Sequence, residues 1–319
     1  MLLYLLAIVV GLAVLVWSAD KFVDGAATLA KHLGVSALLI GIIIVGFGTS
    51  APEITVSIIS ALEDRPELAL GNAYGSNIVN IALILGVTAL MGTIAVQSDV
   101  LRRELPILLA ATGFGVILLL DGALSRLDGG MLFAVLFGYM GYSIWRARQG
   151  KPDHLIEEVE HEMVEHNMTK AQSIFWIVLG LVLLIASSRA LVWGAVGVAE
   201  AFGVSELIIG LTVVAIGTSL PELVSSIVAA RKGEYDMVLG NIIGSNFFNM
   251  LAVVGIAAMI QPLAVGQEVL QRDVPVMVGI TVLLFAVCWL FKSVNRAAGA
   301  GFVAIYAGYT LWLINSAMA

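Results

Sequence analysis

GTSAPEITVSIISALEDRPELALGNAYGSNIVN, residues 48–80, returns 169 positions later as GTSLPELVSSIVAARKGEYDMVLGNIIGSNFFN, residues 217–249. Extended to Gly34–Gly86 and Gly203–Gly255, the two stretches align without a gap and share 23 identities in 53 positions. The shared residues include those unusual in an apolar chain: Pro52 with Pro221, Glu53 with Glu222, and Asn80 with Asn249. The register runs on, placing Arg103, Glu104 and Pro106 on Arg272, Asp273 and Pro275. Charged residues and prolines do not drift easily into common register in such a sequence. The chain is read as a gene-length duplication.

Composition identifies the medium in which the duplicate works. Of 319 residues, 60% are hydrophobic and 12% charged, with a mean hydropathy of +1.01. A soluble domain carries about 25% charged residues, so an ordinary cytosolic enzyme, a disordered chain and a nucleic-acid binder are excluded. The single cysteine, Cys288, rules out an internal disulfide and a cysteine metal cage. Apolar runs lie at about 2–18, 36–62, 69–91, 105–120 and 129–145, then at about 173–188, 205–230, 238–260, 274–291 and 300–316. Each suits a membrane helix of about 20 residues; barrel strands would be shorter and would alternate. The first run lacks the basic flank of a secretory leader and is read as a span.

Basic residues orient the chain. With the N-terminus outside, inner loops hold Lys21, Lys31, Arg102, Arg103, Arg146, Arg148, Lys151, Lys170, Arg231, Lys232, Lys292 and Arg296. Outer loops hold only Arg65, Arg126, Arg189 and Arg272, a split of 12 against 4. Five spans per half, an odd number, turn the second half upside down relative to the first. The expected fold is therefore an all-α polytopic membrane protein: ten transmembrane helices in two inverted five-helix repeats, with broken helices at the centre. Residues 1–145 form the first repeat (motif 34–86) and 173–319 the second (motif 203–255). A cytoplasmic polar linker, 146–172, joins them, and both termini lie outside a plasma (inner) membrane. Inverted repeats of this kind build many secondary transporters, with the site at mid-membrane on discontinuous helices.

Glu53 and Glu222 are the acidic residues deep within spans, and a central carboxylate costs about 2.5–3.5 kcal/mol on insertion scales. No basic residue within a span offsets them. Pro52 and Pro221 stand beside them; proline removes an amide donor and clashes with the carbonyl four residues back, so both helices should break there. Carbonyls freed at that depth must face protein or water and are good ligands for hard cations. Asn72, Ser76 and Asn80, spaced by four, share a helix face, as do Asn241, Ser245 and Asn249. With Thr49, Ser50, Thr218 and Ser219, these groups make an all-oxygen cage. Zinc or copper would call for His or Cys. Calcium takes six to eight oxygens and is neutralised by two carboxylates, whereas magnesium usually keeps several waters. No serine–histidine pairing or histidine metal motif lies in the spans, which leaves an intramembrane hydrolase without machinery; a passive channel remains the other class, separable by counter-ion dependence.

At these residues the sequence resembles the calcium/cation antiporter superfamily, most closely its prokaryotic sodium/calcium exchanger branch. The motifs GTSAPE…GNAYGSNIVN and GTSLPE…GNIIGSNFFN match its paired repeats, and the resemblance covers nearly the whole chain. It implies a non-enzymatic antiporter without cofactor, carrying calcium and sodium, in which the first and sixth helices slide past the core. Glu53 and Glu222 would then be central calcium ligands, joined by Thr49 and Thr218 partly through main-chain oxygens. Ser50, Ser76, Ser219 and Ser245 would line flanking sodium sites with the carbonyls of Gly46 and Ala215, and Asn80 and Asn249 would complete the set. Well-known sodium/calcium exchangers often carry Asp at one of the last two positions, so the coupling ratio does not carry over. Proton/calcium exchangers usually show other motifs, which favours sodium; a proton/calcium or other divalent-cation exchanger of the same fold is the alternative.

The linker carries Asp153, Glu157, Glu158, Glu160, Glu162 and Glu165 around Leu155, Ile156, Val159 and Met163. That spacing suits an amphipathic surface helix or a solvated tether. His154, His161 and His166 also lie there.

Overall fold

Apolar residues on every turn favour long helices, which carry their own backbone hydrogen bonds through an apolar medium. The computed structural model, which describes residues 1–64, 66–148, 168–203, 215–267 and 269–318, consists almost wholly of them. In the first half, α1 (Leu2–Leu33) precedes α2 (Ala37–Ile40), a π-helical stretch Gly41–Gly46 and α3 (Phe47–Thr49). After a break at Ser50 come α4 (Ala51–Leu62), α5 (Pro66–Ile78), a π stretch Val79–Leu85 and α6 (Gly86–Met91). Strand β1 (Ile94–Ala95), a π turn Val100–Glu104, α7 (Leu105–Leu118), β2 (Ala123–Leu124) and α8 (Arg126–Arg148) follow. The second half begins with α9 (Lys170–Ala201), α10 (Ala215–Thr218), α11 (Leu220–Arg231) and α12 (Tyr235–Phe247). It continues with a π stretch Phe248–Val253, α13 (Val254–Ile260), β3 (Leu263–Ala264) and a π turn Val269–Asp273. It closes with α14 (Val274–Phe291), β4 (Ser293–Val294) and α15 (Arg296–Met318).

Apart from α2 and the π stretch Gly41–Gly46, whose counterparts, Ala215 excepted, lie outside the described residues, the same series of elements runs twice. The six described residues with left-handed φ also fall into pairs: Gly34 with Gly203, Asp64 with Gly233, and Gly122 with Lys292. Gly34 closes α1 in a Schellman arrangement, its own N–H donating to the Lys31 carbonyl and that of Val35 to the Ala30 carbonyl.

Two tiny antiparallel ribbons depart from an all-α fold. β1 pairs with β4, Ile94 opposite Val294, and β2 pairs with β3, Leu124 opposite Leu263. Exchanging the halves turns one ribbon into the other, so each ties the end of one half to the other half. Strands of two residues leave no alternation to read, which is why the sequence does not announce them.

Among the described residues, seven helices are long and apolar enough to cross a membrane: Leu2–Leu33, Glu67–Met91, Arg126–Arg146, Lys170–Ala201, Tyr235–Ile260, Val269–Phe291 and Arg296–Ser316. An eighth crossing is formed if the pair Ala37–Thr49 and Ala51–Leu62, bent by 42°, is one broken span. Part of the run expected at 205–230, and most of the linker with its three histidines, lie outside the described residues. Helix α1 runs to residue 33 rather than 18, and α9 to 201 rather than 188. The apolar count stops at Asp20 and Lys21, but the helix continues because Phe22, Val23, Ala26 and Leu29 bury against the core.

Burial sorts these helices into a centre and a wrapping. In the most apolar stretch of Tyr235–Ile260, 89% of residues are buried, and in that of Glu67–Met91, 72%; in the other five the share is 11–33%. Helices apolar all round yet largely uncovered belong in lipid. α1 and α9 lie antiparallel with small residues at the contact. A methyl group on Gly25 would stand 2.8 Å from the Ser173 carbonyl oxygen, and one on Gly180 would stand 3.0 Å from Phe22 Cβ. Backbones this close gain dispersion along their length.

Candidate functional site

The two breaks lie at Ser50 and Ser219, whose φ/ψ are −80°/5° and −90°/10°. Pro52 and Pro221 occupy the first turn of the restarted helices, where a missing amide donor costs nothing. Glu53 and Glu222 therefore stand in the first turns of α4 and α11, at the positive end of the helix dipole. Both are buried, at 0% and 2% exposure.

The serines link the halves crosswise. Ser50 donates to Glu222 Oε1 at 3.3 Å, and Ser76 donates to Glu53 Oε1 at 3.4 Å. Ser219 donates to the Ser76 hydroxyl at 3.4 Å, so Ser76, Ser219 and Glu53 form one chain. The two carboxyl groups lie within electrostatic range of one another. Each leaves its second oxygen, Oε2, buried and without a hydrogen-bond partner among the described residues.

Thr49 Oγ1 donates to the Val45 carbonyl at 3.0 Å or to Asn241 Oδ1 at 3.1 Å, and lies 3.5 Å from Ser245 Oγ. Ser245 can donate to the Gly46 carbonyl at 3.4 Å. That carbonyl, which the family resemblance offers as a ligand, also accepts from Ser50 N–H at 3.2 Å; the carbonyl four residues before Pro52 is that of Gly48. In the second half Ser219 N–H turns to Ile216 O at 3.1 Å, one residue past Ala215. Thr218 ends α10 and is only half-buried, whereas Thr49 is fully buried.

Asn72 and Asn241 lie beside the carboxylates as clamps on the main chain. Asn72 Nδ2 donates to the Glu53 carbonyl at 3.3 Å, and Asn241 Nδ2 to the Glu222 carbonyl at 3.2 Å. Asn80 and Asn249 are buried, at 1% and 0%. Asn80 Nδ2 donates to Asn246 Oδ1 at 3.0 Å, which leaves Asn80 Oδ1 without a partner among the described residues; neither amide atom of Asn249 has one. Asn246 and its counterpart Asn77 were not among the sequence candidates. The repeat held their signal, since GSN recurs whole at 75–77 and 244–246.

The structure thus gathers serine, threonine and asparagine groups around two acids. Buried oxygens without hydrogen-bond donors suit a hard cation, which binds six to eight oxygens. Among the described residues no three of His, Cys, Asp and Glu converge, so nothing here resembles a soft-metal cage.

Known proteins share this architecture. The model of the family described as "Sodium/calcium exchanger protein" matches residues 3–145 and 172–315. CaxA of Alkalimonas amylolytica, which carries a provisional antiporter designation, is 42% identical over 99% of this chain and 100% of its own. The sodium/calcium exchanger MaX1 of Methanosarcina acetivorans is 30% identical over 97% of each chain. Among solved structures, the sodium-calcium exchanger NCX_Mj superposes with a TM-score of 0.82 at 30% identity, covering 96% of this chain and 97% of its own.

Proposed function

The chain belongs to the sodium/calcium exchanger family, and on that premise we propose that it is a secondary antiporter moving calcium across the membrane in exchange for sodium by alternating access. Glu53 and Glu222 are the central calcium ligands, aided by Thr49 and Thr218. Ser50, Ser76, Ser219 and Ser245 line flanking sodium sites with the carbonyls of Gly46 and Ala215, and Asn80 and Asn249 complete the set. The chain forms ten spans in two inverted repeats, 1–145 and 173–319, joined by the linker 146–172. Both termini lie outside the inner membrane and the linker inside.

One observation carries this reading. Two buried acids stand in equivalent helix first turns, each held through one oxygen by a hydroxyl and each with its second oxygen unbonded among the described residues. Two ionised carboxylates without a counter-charge are costly at the centre of a membrane. A calcium ion neutralises both, and so do two sodium ions. The protein therefore reorients when loaded and stalls when empty, which makes it an exchanger rather than a channel.

The test is calcium-45 uptake into vesicles holding the purified protein, with sodium and proton gradients imposed separately. We expect uptake to follow the sodium gradient and Glu222→Gln to reduce it at least a hundredfold, since an interaction at the ion itself is lost. Uptake that follows the proton gradient alone would install the proton/calcium alternative. Flux indifferent to any counter-ion would make the protein a channel.

A further inference from the structure

A side-chain amide is an ambiguous ligand, since its oxygen attracts a cation and its NH2 repels one. Whichever way Asn80 and Asn249 turn decides whether they help or oppose an ion. Something must fix that choice, and groups behind metal ligands commonly do so by bonding the far side of the ligand.

Asn246 Oδ1 is placed for this task. It accepts the Asn80 Nδ2 proton at 3.0 Å, both residues being buried, and Asn80 Oδ1 is left unbonded among the described residues. The exchange of halves maps Asn246 onto Asn77 and Asn80 onto Asn249, and α5, which carries Asn77, packs on the π stretch that carries Asn249. That second pair is not made here. Asn77 Nδ2 lies 3.7 Å from Met277 Sδ, its Oδ1 is unbonded among the described residues, and so are both amide atoms of Asn249. One amide is locked and its twin is unlocked.

We propose that Asn246 and Asn77 are positioning residues: each accepts the amide N–H of the opposite half's site asparagine and so turns that asparagine's oxygen toward the transported cation. The inference rests on the calcium-carrying function proposed above. It goes further in assigning two residues outside the ligand set, and in making the orientation of two neutral amides a determinant of cation affinity. In this structure the Asn246–Asn80 pair is made while the Asn77–Asn249 pair has still to form.

The experiment is a double-mutant cycle in calcium-45 uptake by the full-length protein in vesicles, reading KM for calcium and kcat. Asn246→Leu and Asn246→Ala remove the acceptor. Each raises the calcium KM about tenfold, the worth of one buried hydrogen bond, with kcat within about threefold. Asn246→Asp retains an acceptor oxygen and stays within about threefold of wild type. The decisive arm is Asn80→Asp, whose two terminal atoms are both oxygens and need no orienting. In that background Asn246→Leu changes the calcium KM less than about twofold.

A penalty undiminished in the Asn80→Asp background overturns the proposal by showing a packing role. So does a folded, acceptor-free variant with wild-type KM. If neither acceptor-free variant folds, Asn77→Leu measured with and without Asn249→Asp poses the same question at the second pair, with the same expected cancellation. Wild-type protein that moves no calcium refutes the parent function instead. The same variants then meet the proposal in calcium binding by calorimetry, where an unshifted Kd in Asn246→Leu overturns it.

Discussion

Two junctions of the molecule correspond under the repeat, yet they are in different conditions. Where α1 meets the turn after α11, Lys232 Nζ pairs with Asp20 at 2.6 Å, bonds Asp24, and reaches the Asp20 carbonyl at 3.2 Å. The position 169 residues before Lys232 is Glu63, and the position 169 residues after Asp20 is Arg189. The charges are reversed, both side chains are exposed, and they form no ion pair among the described residues. The helix crossings are described in full on one side only. A methyl group on Gly41 would lie 2.9 Å from Gly240 Cα, and one on Gly46 would lie 2.9 Å from Gly244 Cα. Gly71 and Gly75, the repeats of Gly240 and Gly244, would meet no described atom within 4 Å, and the repeat of Gly41, Gly210, lies outside the described residues. At the ion pair, halves nearly equal in motif are unequal in contact, and such an asymmetry is what the proposed alternating access would have to reverse.

The comparison breaks most easily at the crossings. Gly41→Val forces two backbones apart, and overpacking of this kind costs about 1–3 kcal/mol. Gly71→Val probes the counterpart crossing, and if that crossing is apart it should change stability by less than about 0.5 kcal/mol. Thermal melting of the two proteins in detergent gives the contrast directly. Equal losses would mean that the two crossings are equally tight.

A smaller effect is expected at the ion pair. Lys232→Met leaves Asp24 buried beside a neutral neighbour, and the Lys232 side chain is itself only 25% exposed. A loss of about 1–2 kcal/mol follows, discounted from a fully buried pair because Asp20 is 39% exposed. Hydrogen exchange should rise across residues 19–33 and not across their repeat equivalents 188–202, which lie at the other end of the α1–α9 pair. Unchanged exchange in α1 would show that packing, rather than the pair, fixes its C-terminal end.

Much of this was legible because polar residues in an apolar chain have few positions to occupy. The common register of Pro52–Glu53 with Pro221–Glu222 gave the duplication, the breaks and the two acids together. What stayed hidden has physical causes. Asp20 and Asp24 read as the end of a span because their partner, Lys232, is more than 200 residues away. Asn77 and Asn246 lie one residue off the face that carries Ser76 and Ser245. The π stretches at 79–85 and 248–253, which add a residue to the turn, carry Asn80 and Asn249 and disturb simple i+4 counting. The inequality of the junctions was legible only as a reversal of charge, Glu63 for Lys232 and Arg189 for Asp20, because a repeat written twice does not say which of the two pairs is made.

The finest test concerns the junction that is apart. Arg189 and Glu63 are exposed and bear no ion pair among the described residues, so Arg189→Ala should alter stability by less than about 0.5 kcal/mol. The same truncation would cost as much as Lys232→Met if α9 and α4 were joined as α1 and α11 are. Melting of Arg189→Ala beside Lys232→Met, at low salt where exposed charges are least screened, therefore asks whether the two junctions are alike. A gap of about 1 kcal/mol between them sustains the asymmetry. Equal losses would mean that Arg189 is already engaged and that the junctions differ in sequence alone.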